Sequence, residues 1–284
     1  MTPQLGATGR GLHRRVVAIA SKSLLFMHAS PRSARMLSRL RSAPLVGGLL
    51  RAAVGYNRVY PDLKSAADAI AAYQSKGGHT APEAAELHMS FADKARASDY
   101  PVLFHLKGAA GEIRSVFDFG GCVGNLFYCY DGYLRFAPDL EWRLYDLPDN
   151  LERARAIAAQ RGESRIRTVA NLEDASGADL FLASGSMHYF DTPLADMIAG
   201  LAPKPRYVLI NRTPMTSAPS FATVQAGYGE PVAAMIYNRA STIESFERIG
   251  YRCVDQWDVH DLVMAVPLHA DKPIQYAGML FRLA

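Results

Sequence analysis

The sequence predicts an α/β fold: a seven-stranded, mostly parallel sheet with helices on both faces, preceded by an N-terminal helical segment. Three observations predict it: near-continuous apolar runs of strand length, helical patterns that alternate with them, and a glycine-rich turn directly after the first run. With 284 residues, 49% of them hydrophobic, the chain can bury one large core. We assign residues 1–100 to a basic helical arm with accessory helices and residues 101–284 to the α/β domain.

The N-terminal arm is strongly basic. Residues 1–61 hold ten Lys or Arg residues and no Asp or Glu, so the rest of a chain whose net charge is +4 carries a net charge of −6. Apolar residues recur at helical spacing, which predicts short basic amphipathic helices. We expect these helices to pack on the acidic domain or to form a homodimer, with peripheral docking on an anionic membrane as the alternative. Nucleic-acid binding is disfavoured, because the arm lacks interleaved aromatic residues.

The first predicted strand ends in a glycine-rich turn. Ser115–Asn125 reads Ser-Val-Phe-Asp-Phe-Gly-Gly-Cys-Val-Gly-Asn, so Asp118 is followed by Gly120, Gly121 and Gly124. Glycine lets a backbone pass close to a ligand, and the helix expected next begins with unpaired N–H groups. The pattern indicates a nucleotide-type site, with a tight surface turn as the alternative.

This turn differs from a dinucleotide fingerprint. When G-x-G-x-x-G is counted from Gly120, Cys122 and Asn125 occupy the second and third glycine positions. Asp118 would repel a pyrophosphate and attract a cationic or amine-bearing ligand. The turn therefore disfavours NAD(P).

The second predicted strand ends in an acidic residue. Glu141–Asp146 brings a carboxylate about 22 residues beyond Gly124, the spacing at which a βαβ unit places an acid on ribose hydroxyls. Asp146 is therefore the ribose candidate. Its alternative role, as an N-cap or turn residue before the helix predicted at Asn150–Arg161, is compatible with the first.

The alternation continues to the C-terminus. Further strands are predicted at residues 165–170, 179–184, 206–211, 251–259 and 276–283, with helices at 192–201 and 242–249. The connection Asn211–Asn238 is long and rich in Gly and Pro, which predicts a lid or substrate loop at about residues 212–238. Arg212 and Tyr228 are its substrate-binding candidates. Arg212 would clamp an anionic acceptor or form a salt bridge with a nearby carboxylate.

A histidine follows the fourth strand. Ser184-Gly-Ser-Met-His188 places His188 just beyond the carboxyl end of a central strand, where open α/β sheets bind ligands. An imidazole titrates near neutrality and can accept a hydroxyl proton. His188 is therefore the candidate catalytic base, with packing against a cofactor or the core as the alternative.

Metal and disulfide sites are not expected. Asp258, His260 and Asp261 are close in sequence, but a strand alternates its faces, so we interpret them as a surface turn and predict no metal. The three cysteines form no C-x-x-C pair and leave an odd number, which is typical of a reduced, cytoplasmic protein.

The turn resembles the first motif of class I S-adenosylmethionine-dependent methyltransferases, D/E-x-G-x-G-x-G, with Cys122 at the middle glycine. A Cβ there narrows the space over the cofactor. Over roughly residues 56–283 the chain is similar to a family of bacterial methyltransferases of this class whose substrates are uncharacterised. The similarity is carried by the turn and by Val59–Asp68, Asp146–Pro148, Ile210–Pro214 and Tyr276–Phe281.

The resemblance implies a Rossmann-like domain that uses S-adenosylmethionine, releases S-adenosylhomocysteine and methylates a small molecule or glycan. Asp146-Leu-Pro148 is similar to a motif of small-molecule O-methyltransferases, which favours an oxygen acceptor. The late strand pair agrees with how the methyltransferase sheet ends, whereas an NAD fold continues with βαβ units. The residues implied to bind the cofactor are Asp118, Gly120, Gly121, Gly124, Asp146, Leu147, Asn171, Leu172, Ser184 and Gly185.

Two of the residues implied to bind the cofactor have an alternative structural role. Asn171 and Leu172 match the loop that borders the adenine, but the same residues fit an ordinary helix cap. For the whole chain, an NAD(P)-linked oxidoreductase and a non-catalytic binding or scaffold protein of the same fold are the alternative functions.

Overall fold

The computed structural model describes residues 58–71, 82–227, 230–262 and 271–284, with the single positions 32, 33, 36, 264, 266 and 269. The predicted arm helices, those three early positions aside, and Tyr228 lie outside the described residues. No helix in the described part of the chain is both long and apolar enough to cross a bilayer. The α-helices are α1 (Leu63–Ile70), α2 (Pro82–Met89), α3 (Tyr100–Gly108), α4 (Asn125–Leu134), α5 (Pro148–Arg161), α6 (Leu194–Ala199) and α7 (Arg239–Arg248).

The strands form one mixed sheet. They are β1 (Ser115–Phe119), β2 (Glu141–Tyr145), β3 (Ile166–Val169), β4 (Leu180–Ser184), β5 (Tyr207–Thr216), β6 (Phe221–Gly227), β7 (Glu230–Asn238), β8 (Tyr251–Val259) and β9 (Gln275–Leu283). Strands β3, β2, β1, β4 and β5 lie side by side in that order and are parallel. Strand β9 then pairs antiparallel with β5, and β8 pairs antiparallel with β9. The predicted mostly parallel sheet and its late strand pair are confirmed.

The core has two layers because alternate strand residues face opposite sides. Phe117 and Phe119 of β1 pack with Phe181 of β4 in one layer, which α1, α6 and α7 cover. Val116 of β1 packs with Leu182 of β4 in the other layer, which α3 and α4 cover. These near-continuous apolar strands are buried on both faces, as predicted. The arrangement leaves the strand ends as the place where a ligand site can form.

The region predicted as a lid loop is part of the sheet. Strand β5 continues to Thr216, and β6 and β7 form a hairpin whose second strand joins β5 at Met215 and Thr216. The region predicted as a lid or substrate loop at about residues 212–238 is therefore a strand extension and a hairpin, and its role toward a substrate stays a prediction. The described residues form a sheet of nine strands instead of the predicted seven. The reason is burial: apolar side chains along both hairpin strands, including Phe221 and Ile236, are covered by neighbouring elements.

Residues 58–71 attach to this hairpin. Tyr60 exchanges backbone hydrogen bonds of 2.8 and 2.9 Å with Ala222 of β6. Ala66 and Ile70 of α1 are buried in the same core layer as the hairpin residues Ala222 and Val224. Residues 58–71 of the predicted accessory segment are thus packed on the α/β domain.

Candidate active site

A cleft lies where β1, β2, β4 and β5 end. Its larger lobe, of about 380 Å³, adjoins the end of β2, and its smaller lobe, of about 210 Å³, adjoins the end of β5. The carboxyl edge of parallel strands is where open α/β sheets bind ligands, in pockets of roughly 300–1,000 Å³. Residues that line both lobes are His88, Gly120, Cys122, Ser184, Gly185 and Tyr189.

The turn after β1 uses backbone conformations that favour glycine. Gly120, Cys122 and Gly124 have φ angles of 70°, 53° and 80°. The Gly120 N–H donates to the Tyr145 carbonyl at 2.8 Å, which holds the turn against the end of β2. A Cβ on Gly120 would lie 2.4 Å from the Cβ of Ser186. Glycine at position 120 therefore lets the loops after β1 and β4 touch.

Cys122 takes a glycine-like conformation with a side chain attached. It is 7% exposed and lines both lobes. Burial, with a smaller effect of the nearby Asp146 carboxylate, raises the pKa of the thiol to about 12. The side chain is therefore a neutral thiol at physiological pH and acts on a ligand through its volume, not as a nucleophile.

Asp146 ties three elements together at the wall of the larger lobe. Its Oδ2 accepts the Cys122 N–H at 2.8 Å, and its Oδ1 accepts the Leu147 N–H and the Asn150 Nδ2, both at 2.7 Å. Asp146 is not the N-cap of α5: that residue is Leu147, no side chain caps the helix, and Asp146 instead stabilises the turn that leads into it. A carboxylate has about four lone-pair sites, so Oδ2 can accept one more donor from the lobe.

Asp118 lies one layer behind the turn. It is 1% exposed and does not line either lobe. Its Oδ2 accepts the Trp142 Nε1–H at 3.0 Å, while its buried Oδ1 has no hydrogen-bond partner among the described residues. Burial raises the pKa of this carboxyl to about 7. A Cβ on Gly121 would lie 2.3 Å from Oδ2, so a residue larger than glycine at position 121 would clash with Asp118.

The other cofactor candidates divide into two groups. Leu147, Ser184 and Gly185 line the larger lobe. Asn171 and Leu172 do not line either lobe; Asn171 caps the short 3-10 helix Leu172–Ala175, and its N–H donates to Asp174 Oδ2 at 3.3 Å. The contacts of Asn171 support the cap, and an adenine contact stays a prediction.

The loop after β4 forms the boundary between the lobes. The Ser186 hydroxyl donates to the Phe119 carbonyl at 2.5 Å, which fixes this loop to the end of β1. His188 is 3% exposed, lines the smaller lobe and has its ring centroid 4.1 Å from that of Tyr189. The predicted base is thus at the cleft, facing the space beside β5.

Arg212 enters the smaller lobe from a bulge in β5. The pairing of β5 with β9 shifts register between Ile210 and Thr213, and Arg212 has a φ of 51°. Its Nη1 lies 3.1 Å from Asp99 Oδ1, and its Nη2 donates to the Ser184 hydroxyl at 2.9 Å. The predicted alternative, a salt bridge with a nearby carboxylate, is therefore present. The Arg212 side chain also lines the smaller lobe.

Several cleft residues were not among the site residues predicted from the sequence. His88 comes from the end of α2, Arg96 from the segment before α3, and Tyr276 from β9, and all three line the smaller lobe. Phe190 and Asn150 line the larger lobe. Asn150 was predictable, because it lies four residues after Asp146 at the start of a helix, and Tyr276 belongs to the segment Tyr276–Phe281 that carries the resemblance.

The acidic residues near the end of β8 hold protein partners. Asp258 pairs with Arg239 at 2.7 Å, and Asp261 accepts the Ser98 N–H and hydroxyl at 3.3 and 3.0 Å. Over the described ranges, no three His, Cys, Asp or Glu side chains converge as metal ligands. The absence of a metal stays a prediction.

No family model matches the chain, and no curated protein sequence is similar to it. Solved structures are similar at low identity. The N-terminal domain of EvdMO1 with SAH bound is 12% identical, with a TM-score of 0.48 over 66% of this chain and 82% of that one. The 1,6-didemethyltoxoflavin-N1-methyltransferase of Burkholderia thailandensis, with S-adenosylhomocysteine bound, is 19% identical, with a TM-score of 0.43 over 66% and 79%. An S-adenosylmethionine-dependent methyltransferase from Clostridium acetobutylicum is 10% identical, with a TM-score of 0.46 over 68% and 94%.

Proposed function

We propose that the chain is a class I S-adenosylmethionine-dependent methyltransferase that methylates a hydroxyl group of a small molecule or glycan. The observation that carries the proposal is the position of β9, antiparallel between β5 and β8, in a sheet whose β1 and β2 ends hold the cleft. An NAD fold continues with parallel βαβ units and needs a pyrophosphate turn that this chain lacks.

The larger lobe fits an adenosine group. Asp146 offers a carboxylate to ribose hydroxyls, and Tyr145, Leu147 and Phe190 supply apolar walls for a flat base. Asn125 and Leu126, at the start of α4, line the smaller lobe. The first N–H groups of a helix lack intrahelical acceptors and attract anions, so they suit the methionine carboxylate of the cofactor.

When bound, S-adenosylmethionine supplies a methyl group on a sulfonium sulfur, which is a good leaving group. The chain's residues then need to hold an acceptor in line with that methyl group and to exclude water. His188 lines the lobe in which the acceptor would lie and would take the proton that the hydroxyl loses. The proton then passes from the imidazole to solvent.

Titration calorimetry with S-adenosylhomocysteine and with NADH tests the proposal. We expect S-adenosylhomocysteine to bind and NADH not to bind. Binding of NADH alone would indicate an oxidoreductase, and binding of neither would favour a non-catalytic protein.

Replacement of Asp146 by alanine is expected to weaken S-adenosylhomocysteine binding about 10- to 100-fold, because a charged acceptor for the ribose and the clamp on the turn are both lost. The far-UV circular dichroism spectrum should be unchanged. Asp149→Ala is the matched control, since Asp149 is exposed in the first turn of α5 and lines neither lobe. Equal affinities of the Asp146 and Asp149 variants would refute the ribose assignment.

Replacement of Cys122 by glycine is expected to tighten S-adenosylhomocysteine binding several-fold. The change removes a side chain from both lobes and relieves a left-handed conformation that costs an L-residue about 1–2 kcal/mol. The melting temperature should change little, because glycine also raises the entropy of the unfolded chain. Weaker binding in calorimetry would show instead that the Cys122 side chain contacts the cofactor favourably.

With an identified acceptor, replacement of His188 by glutamine is expected to lower the turnover number about 100-fold or more, because general-base catalysis contributes roughly 10²–10⁴-fold. Affinity for S-adenosylhomocysteine should stay within about twofold of the parent. A parental turnover number in radiolabelled methyl-transfer assays would leave His188 with a packing role alone.

A further inference from the structure

Two arginines share one buried carboxylate at the wall of the smaller lobe. Asp99 is 1% exposed; its Oδ1 lies 3.1 Å from Arg212 Nη1 and also accepts the Tyr130 hydroxyl at 2.9 Å. Its Oδ2 accepts the Arg96 N–H at 2.9 Å and lies 3.3 Å from Arg96 Nε. One carboxylate offsets one guanidinium, so this cluster of Arg96, Asp99 and Arg212 holds an excess charge of about +1.

No described acidic side chain on the wall of the smaller lobe offsets that excess positive charge. The described residues that line the smaller lobe include Arg96, Arg212, His88 and His188, and none of them is Asp or Glu. The Arg96 side chain is 25% exposed, and its Nη atoms donate to no described residue. A guanidinium can present two parallel N–H groups to a carboxylate, so Arg96 is equipped to bind an anion in the lobe.

The backbone that positions the second arginine, Arg212, is strained. Arg212 combines a left-handed φ, a bulge in the β5–β9 pairing and a side chain that is 6% exposed. Bulges beside ligand sites re-aim side chains, and residues in such conformations persist where the surrounding structure enforces them. A purely structural ion pair does not require that the arginine reach the cleft.

We propose that the methyl acceptor is an organic acid whose carboxylate is held by Arg96 and Arg212 while its hydroxyl faces His188. This inference rests on the proposed function. The excess of one positive charge matches a monoanionic carboxylate better than a phosphate monoester, which carries about −1.5 to −2 charges at neutral pH. The proposed function assigns the cofactor carboxylate to the start of α4, so Arg96 and Arg212 remain available to bind the acceptor.

The hydroxyl oxygen of the acid forms the new bond to the methyl carbon as the bond from sulfur to that carbon breaks, with its electron pair going to sulfur. The hydroxyl proton goes to His188 and then to solvent. The products are the methoxy acid and the neutral thioether, so atoms and charge balance.

Binding of matched acid and amide probes tests the inference. Calorimetry on the full chain, with and without saturating S-adenosylhomocysteine, would compare 4-hydroxybenzoate with 4-hydroxybenzamide and glycolate with glycolamide. We expect at least one acid to bind about tenfold or more tightly than its amide. Equal or absent binding of acid and amide in both pairs overturns the inference.

Arg96→Gln should abolish the preference for the acid and leave the circular dichroism spectrum unchanged, since Arg96 is partly exposed. Arg206→Gln, which removes the same charge at the opposite end of β5, should keep the preference. Equal losses in the two variants would mean a general charge effect and would overturn the inference.

A second comparison tests whether the arginines bind the carboxylate of the cofactor instead of that of the acceptor. 5′-Methylthioadenosine lacks the amino-acid part of S-adenosylhomocysteine. If Arg96→Gln weakens binding of S-adenosylhomocysteine but not of 5′-methylthioadenosine, the arginines serve the cofactor and the inference fails. If the parent chain binds no S-adenosylhomocysteine, the proposed function fails, whereas the comparison of acid with amide on the unliganded chain still decides the charge preference.

Discussion

Replacement of Gly120 by alanine is expected to lower the affinity for S-adenosylhomocysteine about 100-fold and to lower the melting temperature by several degrees. Two effects act together. The φ of 70° costs an L-residue about 1–2 kcal/mol, and the added Cβ would lie 2.4 Å from the Cβ of Ser186. The loops after β1 and β4 would have to separate, and both line the larger lobe. A loss of about 3 kcal/mol corresponds to roughly 100-fold in affinity.

Gly162 supplies the control for this substitution. It has a φ of 64° at the C-terminal end of α5, and a Cβ there would have no atom within 4 Å. Gly162→Ala therefore carries the conformational strain without the clash, so its melting temperature should fall slightly and its affinity should match the parent. If both variants bind equally well in calorimetry, contact between the two loops is not needed for the site.

Asp118 is expected to make the fold less stable as pH rises from about 4 to about 7. Burial raises the pKa of its carboxyl from the usual 3.8 to about 7. Between those values the folded chain holds a proton that the unfolded chain releases, so the free energy of unfolding falls with rising pH and levels off above the folded pKa. The total change is on the order of a few kcal/mol, which is a large part of a typical stability.

Asp118→Asn should remove this contribution. An amide oxygen can still accept the Trp142 Nε1–H, and the side chain no longer ionises. In urea unfolding at pH 5, 6, 7 and 8, the variant should gain stability relative to the parent as pH rises. Asp139→Asn, at an exposed carboxylate, is the control for a change of net charge. Parallel stability curves for the parent and the Asp118 variant would refute a titration of this buried group.

The strands were predictable from the sequence where an apolar run of residues is consistent with a buried strand alone. Strand β8 has the predicted bounds, and β3 and β4 start one residue later than predicted. The continuation of β5 was not predictable, because Asn211, Arg212 and Pro214 are typical of a loop. They lie in a strand for two reasons. The bulge accommodates the irregular backbone, and strand β7 of the hairpin pairs with the C-terminal end of β5. Only the tertiary packing shows this.

The site was predictable in its local motifs and not in its distant contributors. The turn at Gly120 and the acid at Asp146 lie together because successive parallel strands end at one edge. Arg96 and His88 precede the turn by more than 20 residues and belong to no motif. They reach the cleft because α3 packs on the sheet and the chain before it crosses the strand ends, a relation that spacing alone does not encode.

The three hydrogen bonds on Asp146 have a consequence for binding thermodynamics. They join the turn after β1, the end of β2 and the first turn of α5 through contacts that the chain makes with itself. The backbone entropy of ordering these segments is therefore lost during folding and not again when a ligand arrives. The wall of the larger lobe acts as a preorganised template, whose affinity depends on contacts already in position.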